Sequence, residues 1–309
     1  MDDAEFKKIM DQIESELTGD PDHDIDVLDA WGERYREVPD SEPLMREISS
    51  RIFDMVISED PDEPQAIYEN MVETADEDFE EACDLINEKR FDEAETKLAI
   101  LTEVVKAYPL SDDAIWTDFT SYLEGMIFQD LFSELIGDQE VLRHPMHPGP
   151  ILFTYGSLLI QMGKADEAIH PLEMLNILNP VCMKYIFELG EAYKRTGQME
   201  DAFNIALWGL SCAADRAELA RCYRDMAYCL SEAGNHQDAV MLYLLSLHFQ
   251  ASRQAEMEIA WIRKNFGVSP DGYTLESIKN RCAEVGIPVG ISEIVQRNLE
   301  LLEALGQSE

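Results

Sequence analysis

Along most of this chain apolar residues recur every three or four positions, the spacing that lines one face of a helix. Segments 2–18, 24–36, 43–58 and 63–88 read as helices, separated by Pro21, Pro39, Pro43, Pro61 and Pro64, where helices start or stop. Further on the apolar seam is Leu158, Leu159 and Met162, then Leu189, Ala192 and Tyr193, then Met226, Cys229 and Leu230. Trp116, Phe119, Tyr122, Leu123, Met126, Leu131, Phe132 and Leu135 are also helical in pattern, with Gly125 the candidate turn. Residues 254–266 predict one more helix, and beyond Gly267 to Gly272 two others run over 274–285 and 291–305. The expectation is an all-α fold.

The seams repeat. Gly156, Gly163 and Ala168 are followed 34 residues later by Gly190, Gly197 and Ala202, and 37 residues after that by Ala227, Gly234 and Ala239. Leu159, Tyr193 and Leu230 share one equivalent position, Leu172, Ala206 and Tyr243 another, Leu175, Gly209 and Ser246 a third. Small residues at 156, 190 and 227, and at 168, 202 and 239, let two helices approach closely. Gly163, Gly197 and Gly234 fall where the first helix of each pair ends and the chain reverses, a place that favours the left-handed conformation. The pattern resembles the tetratricopeptide repeat, a helix–turn–helix unit with a closing proline, which Pro180 supplies once and Ala214 and Ala251 replace later. The extra residues of the longer interval fall near Ala213 to Leu219, and Pro171 interrupts the second helix of the first unit.

The resemblance implies a right-handed superhelix of antiparallel helix pairs. Its organisation would be an acidic helical segment over 1–75, degenerate repeat-like pairs over 76–148, three clear repeats over 149–253, and capping helices over 254–309. In the degenerate part Ala82, Leu85, Ala94, Leu98 and Leu101 keep the offsets, Phe91-Asp92-Glu93-Ala94 imitates the start of a second helix, and Ala94 to Ala168 leaves room for one more pair.

Charge changes the picture of partners. The 309 residues hold 63 acidic and 24 basic side chains, a formal charge of −39, which argues against nucleic-acid backbones and anionic membranes. Residues 1–140 carry −32 of it and residues 141–309 only −7. The longest charge-free run, His144 to Gly163, is broken by Pro145, Pro148, Gly149 and Pro150 and is too short to span a bilayer. Met1-Asp2-Asp3-Ala4-Glu5 lacks the layout of a secretory signal, and six scattered cysteines without a C-x-x-C pair fit reduced thiols, so a cytoplasmic location is expected.

The family binds extended peptides or helices in a concave groove lined by the first helices of the pairs. The resemblance places there Pro150, Phe153, Ser157, Ile160 and Gln161; Lys184, Phe187, Glu191, Lys194 and Arg195; Arg221, Arg224, Tyr228, Ser231 and Glu232. Phe153, Lys184, Phe187, Lys194, Arg195, Arg221, Arg224 and Tyr228 are the predicted groove contacts, the basic residues for anionic groups and the aromatics for anchoring. The competing reading is that these cations simply pair with Glu188, Glu191 and Asp225. The family's clamp for chaperone tails is not matched, since Phe153 and Ser157 occupy its Lys and Asn places and Asp225 stands where an Arg belongs. The function this implies is a scaffold or adaptor binding a segment of another protein, not an enzyme. An alternative is an acidic decoy that binds a basic protein through its N-terminal half. A third hypothesis, an enzyme on a helical scaffold, would need a pocket of converging carboxylates or histidines that the sequence does not show. Within the scaffold reading, the acidic half is also a candidate to fold back on, or continue into, the groove and block it, so that removing residues 1–75 exposes a binding surface.

Metal and catalytic motifs are weak. Asp20, Asp22, Asp24 and Asp26 alternate as in a calcium loop, but Ile25 replaces its Gly and Trp31 its bidentate Glu, so helix capping is the better reading. His144 and His147 form an H-x-x-H among prolines, which reads as a connector. His170, His236 and His248 are isolated, there is no phosphate-binding glycine loop, and no metal, cofactor or catalytic residue is assigned.

Overall fold

The computed structural model describes residues 3–19, 21–35, 38, 41, 44, 47–48, 51, 63–108, 110–111 and 113–306. The expected helix over 43–58 lies largely outside them. The fold is mostly helical, packed helix against helix, and its contacts fall into two units, 1–74 and 75–309.

In the first unit α1 (Asp3–Glu16) packs on α2 (Pro21–Tyr35). Ile9, Met10, Ile13, Leu28 and Trp31 join Leu44 and Ile48 in a small core. Of the alternating aspartates Asp24 is buried in the first turn of α2 and accepts the N–H groups of Thr18 (2.7 Å) and Gly19 (2.8 Å), residues that precede the helix, so it holds the α1–α2 connection in place and does not cap the N–H groups of α2.

Beyond α3 (Glu63–Asn87) and α4 (Phe91–Ala107) the second unit departs from the all-helical expectation. Strand β1 (Ala114–Thr117) pairs in parallel with β2 (Glu140–Arg143), Ala114 opposite Glu140 and Thr117 opposite Arg143. A parallel pair needs a crossover, here α5 (Tyr122–Leu131) and the single turn α6 (Ser133–Ile136). The residues from Trp116 to Leu135 are thus not a helix pair: Trp116 is in a strand, and Gly125 lies inside α5 instead of at a turn. Meanwhile α4 packs directly against α7 (Pro148–Gln161), and Lys164 bonds Glu95 across that contact. The 74 residues from Ala94 to Ala168 therefore hold an excursion from the stack, not one more member of it.

From α7 onward each helix packs on the next: α8 (Ala165–Leu178), α9 (Met183–Arg195), α10 (Met199–Cys212), α11 (Arg216–Glu232), α12 (His236–Phe249) and α13 (Arg253–Phe266). The three predicted reversals close identically. Gly163, Gly197 and Gly234 have φ of 82°, 78° and 81°, and the next N–H reaches back five residues, Lys164 to Leu159, Gln198 to Tyr193 and Asn235 to Leu230. The longer interval is absorbed at the start of α11, which has 17 residues against 14 and 13 in α7 and α9. Pro171 sits buried inside α8 without displacing its ends. A Cβ on Gly156 would lie 2.5 Å from Leu172 Cγ, so α7 and α8 do touch through the small residue.

The end of the unit turns back. After α14 (Leu275–Glu284) the chain passes Tyr223, whose hydroxyl donates to Pro288 O at 2.9 Å, and Ser292 donates to Ser211 O. In α15 (Glu293–Gly306) Asn298 and Arg297 reach Asp130 of α5 at 2.7 and 2.6 Å. The excursion and the C-terminal helix therefore stabilise each other.

Candidate binding face

Helices α7, α9 and α11 touch in succession, which sets the predicted contact residues in a row. Three basic side chains lie over three aromatic rings: Lys184 Nζ is 3.7 Å from the Phe153 centroid, Arg221 Cζ 4.1 Å from Phe187, and Lys194 Nζ 5.9 Å from Tyr228. A cation over a ring face is attracted by its quadrupole, worth ~0.5–1 kcal/mol where solvent reaches it. Phe187 is buried beneath its arginine, whereas Lys184 and Arg221 are exposed.

The competing reading divides these cations into two groups. Lys194 is committed internally, 2.8 Å from Asp225 and 3.1 Å from Glu191, with little of its side chain exposed. Burial pulls its ammonium down, yet the two carboxylates outweigh that and hold it above the ordinary lysine value. Arg195 is spent on Glu191 and the Ile160 carbonyl. Lys184 and Arg224 have no ion pair among the described residues, and Arg221 has only Asp225 at 3.9 Å, a carboxylate already engaged by Lys194. Burial lowers the affinity of the Arg224 guanidinium for its proton, and its Nη1 is enclosed without an acceptor. An unsatisfied buried donor of this kind costs ~1–3 kcal/mol, more when charged.

Two residues escaped the sequence reading. Ala260 and Gly267 follow Ala227 and Gly234 by 33 residues, and Gly267 is again left-handed after its helix, at φ 73°. The same shift carries Arg224 and Tyr228 onto Met257 and Trp261 of α13, exposed by 61% and 49%. The spacing was there to be found; the missing large apolar partner, Arg263 in place of Leu230, hid it.

The H-x-x-H pair has a structural role. His144 is buried and its Nδ1 accepts the Met146 N–H at 3.2 Å, while burial lowers its pKa. His147 takes a left-handed conformation before α7 and does not cap it. Asp118 does so from outside the helix, accepting the Gly149 N–H at 2.7 Å, and a Cβ on Gly149 would strike that same carboxylate. Among the described residues no three His, Cys, Asp or Glu side chains converge as metal ligands, and no helix is long and apolar enough to cross a membrane. The six cysteines are free, and burial pushes Cys182 and Cys212 up to about 12, far from a reactive thiolate. No protein-family model matches the sequence, and no curated protein matches it.

Proposed function

We propose that this chain is an interaction scaffold of the tetratricopeptide kind, working in the cytoplasm. Its helix pairs over 149–253 would stack as a right-handed superhelix, with α7, α9 and α11 lining the concave side. A partner protein lays a peptide segment or helix there, its acidic groups on Lys184, Arg221 and Arg224 and its apolar groups on Phe153, Phe187 and Tyr228. The observation that carries this reading is Arg221: an exposed guanidinium over the Phe187 ring whose nearest acceptor, Asp225 at 3.9 Å, is already engaged by Lys194. Exposed cations that lack a close internal carboxylate are free to make charge-assisted hydrogen bonds to an anionic ligand. In a chain of −39 net charge, carboxylates to neutralise these cations are abundant, and the fold does not bring them there.

The test is capture of partners on the intact protein and on an Arg221→Glu, Arg224→Glu variant whose folding is checked by circular dichroism. A partner retained by the native chain, lost by the variant, and binding again as a synthetic acidic peptide supports the reading. Partners captured equally by both refute it and move attention to the acidic N-terminal half, as a decoy for basic proteins would require.

A further inference from the structure

Helix α9 has a second functional side. At ~100° per residue Leu189 and Tyr193 point roughly opposite to Phe187 and Lys194, and they floor a cavity of about 460 Å³ between α8 and α10. Leu189 and Ile205 make its base apolar, and Ile177 stands at the mouth, 76% exposed. Its polar lining is Glu173, Asp201, the Tyr193 hydroxyl and the side-chain amides of Asn176 and Asn204. Glu173 has the Tyr193 hydroxyl as its donor at 2.8 Å. Asp201 has no hydrogen bond or ion pair among the described residues, and no lysine, arginine or histidine lines the cavity. Asn176 Oδ1 is fully enclosed and accepts from nothing.

Both carboxylates act at one point: after burial, the hydrogen bond and charge of Glu173 and the charge of Asp201 raise the Tyr193 hydroxyl above its ordinary pKa. Two features are then unmatched together: acidic groups without a counter-cation and an apolar wall open to solvent. A side chain with an aliphatic stem and a cationic, hydrogen-donating head answers both. A metal ion would use the carboxylates and leave the apolar wall bare.

We propose that this cavity receives an arginine or lysine side chain of a partner protein, its stem against Leu189, Ile177 and Ile205 and its charged head between Glu173 and Asp201. The net charge of −39 enriches basic segments around the chain, and the cavity gives one of their residues a defined seat. This does not depend on the first-helix face, because the two surfaces lie on different sides of α9, so either can fail alone.

The test uses the full chain, isotopically labelled, at physiological salt, titrated with Nα-acetyl-arginine methylamide and Nα-acetyl-lysine methylamide while backbone amide signals are followed. Saturable shifts confined to residues 173–177, 189–193 and 201–205 are expected. Glu173→Gln with Asp201→Asn should weaken binding by about tenfold or more. Glu276→Gln with Glu303→Gln removes the same charge elsewhere and should leave the affinity within about twofold. Shifts that do not saturate, equal weakening by the two double variants, or equal binding of the uncharged norleucine analogue would overturn the proposal.

Discussion

The close approach of α7 and α8 can be tested with a single methyl group. Gly156 and Gly190 are equivalent in sequence, and each is buried in the middle of a helix, so alanine should gain ~0.5–1 kcal/mol at either from helix propensity. What the new Cβ meets decides the sign. At 156 it would lie 2.5 Å from Cγ and 2.6 Å from Cδ2 of Leu172, which is fully buried against Leu152, Leu159 and Leu175 and has no room to retreat. Overpacking of that kind costs ~1–3 kcal/mol, so Gly156→Ala should lose about 1–2 kcal/mol net. At 190 the nearest atom is Ile205 Cγ2 at 3.4 Å, a branch bordering an open cavity that can yield by a few tenths of an ångström. Gly190→Ala should therefore be neutral or more stable by up to ~1 kcal/mol. Urea unfolding followed by far-ultraviolet circular dichroism, with native and variant chains compared in one buffer, reads the difference as a shift in midpoint. If Gly156→Ala is as stable as Gly190→Ala, the contact with Leu172 is not tight and the account of small residues at this position fails.

Asp118→Ala removes the acceptor for the first N–H of α7 and should cost ~1–2 kcal/mol, whereas Asp118→Asn, which keeps an oxygen there, should recover most of it in the same urea assay. His144 is buried with its pKa held below the ordinary 6.5, chiefly by desolvation and also by His147, with Asp118 opposing. The unfolded chain thus takes up a proton first, and stability should fall as pH drops below 6.5 toward the folded value. His144→Asn, whose oxygen can accept from Met146, should flatten that slope; parallel profiles for the two proteins would disprove the assignment. Arg221→Glu should weaken an acidic peptide on the first-helix face and leave the arginine probe unaffected, and stopped-flow mixing should show slower association of the acidic peptide at low salt than at 150 mM, since the −39 charge repels it at long range.

How much was legible in the sequence depended on whether each feature was local. The three glycine reversals were readable because one residue type answers one backbone requirement, and all three close with the same five-residue hydrogen bond. The contact through Gly156 was readable as well, since a small residue recurring at one offset marks where two helices must come close. The strands were not. Ala114–Thr117 and Glu140–Arg143 are four residues each, too short to display alternation, and their pairing is set across an intervening crossover. Equally hidden was the bond from Asn298 to Asp130, 168 residues apart, which ties the C-terminal helix to that crossover. On the first-helix face the sequence named these cations without telling which are paired internally, because Asp225 and Glu191 choose among neighbours only in three dimensions. The cavity beside Tyr193 left no trace in a pattern reading: its residues come from three helices and each looks like an ordinary surface or seam position.

That choice by Asp225 decides what the face can do. One carboxylate stands between two cations, and it bonds Lys194 at 2.8 Å while Arg221 remains at 3.9 Å over the ring of Phe187. Lys194 is the more buried of the two and the more costly to leave unpaired, so the pair forms where desolvation is greatest. Arg221 is left to the weaker attraction of an aromatic face, which solvent can share and which a carboxylate from outside can improve without breaking any internal bond. The internal ion pair thus fixes the spacing of α9 and α11, and the surplus charge beside it remains available. A substitution that frees Asp225, such as Lys194→Met, should let the carboxylate swing to Arg221 and lower affinity for an acidic peptide.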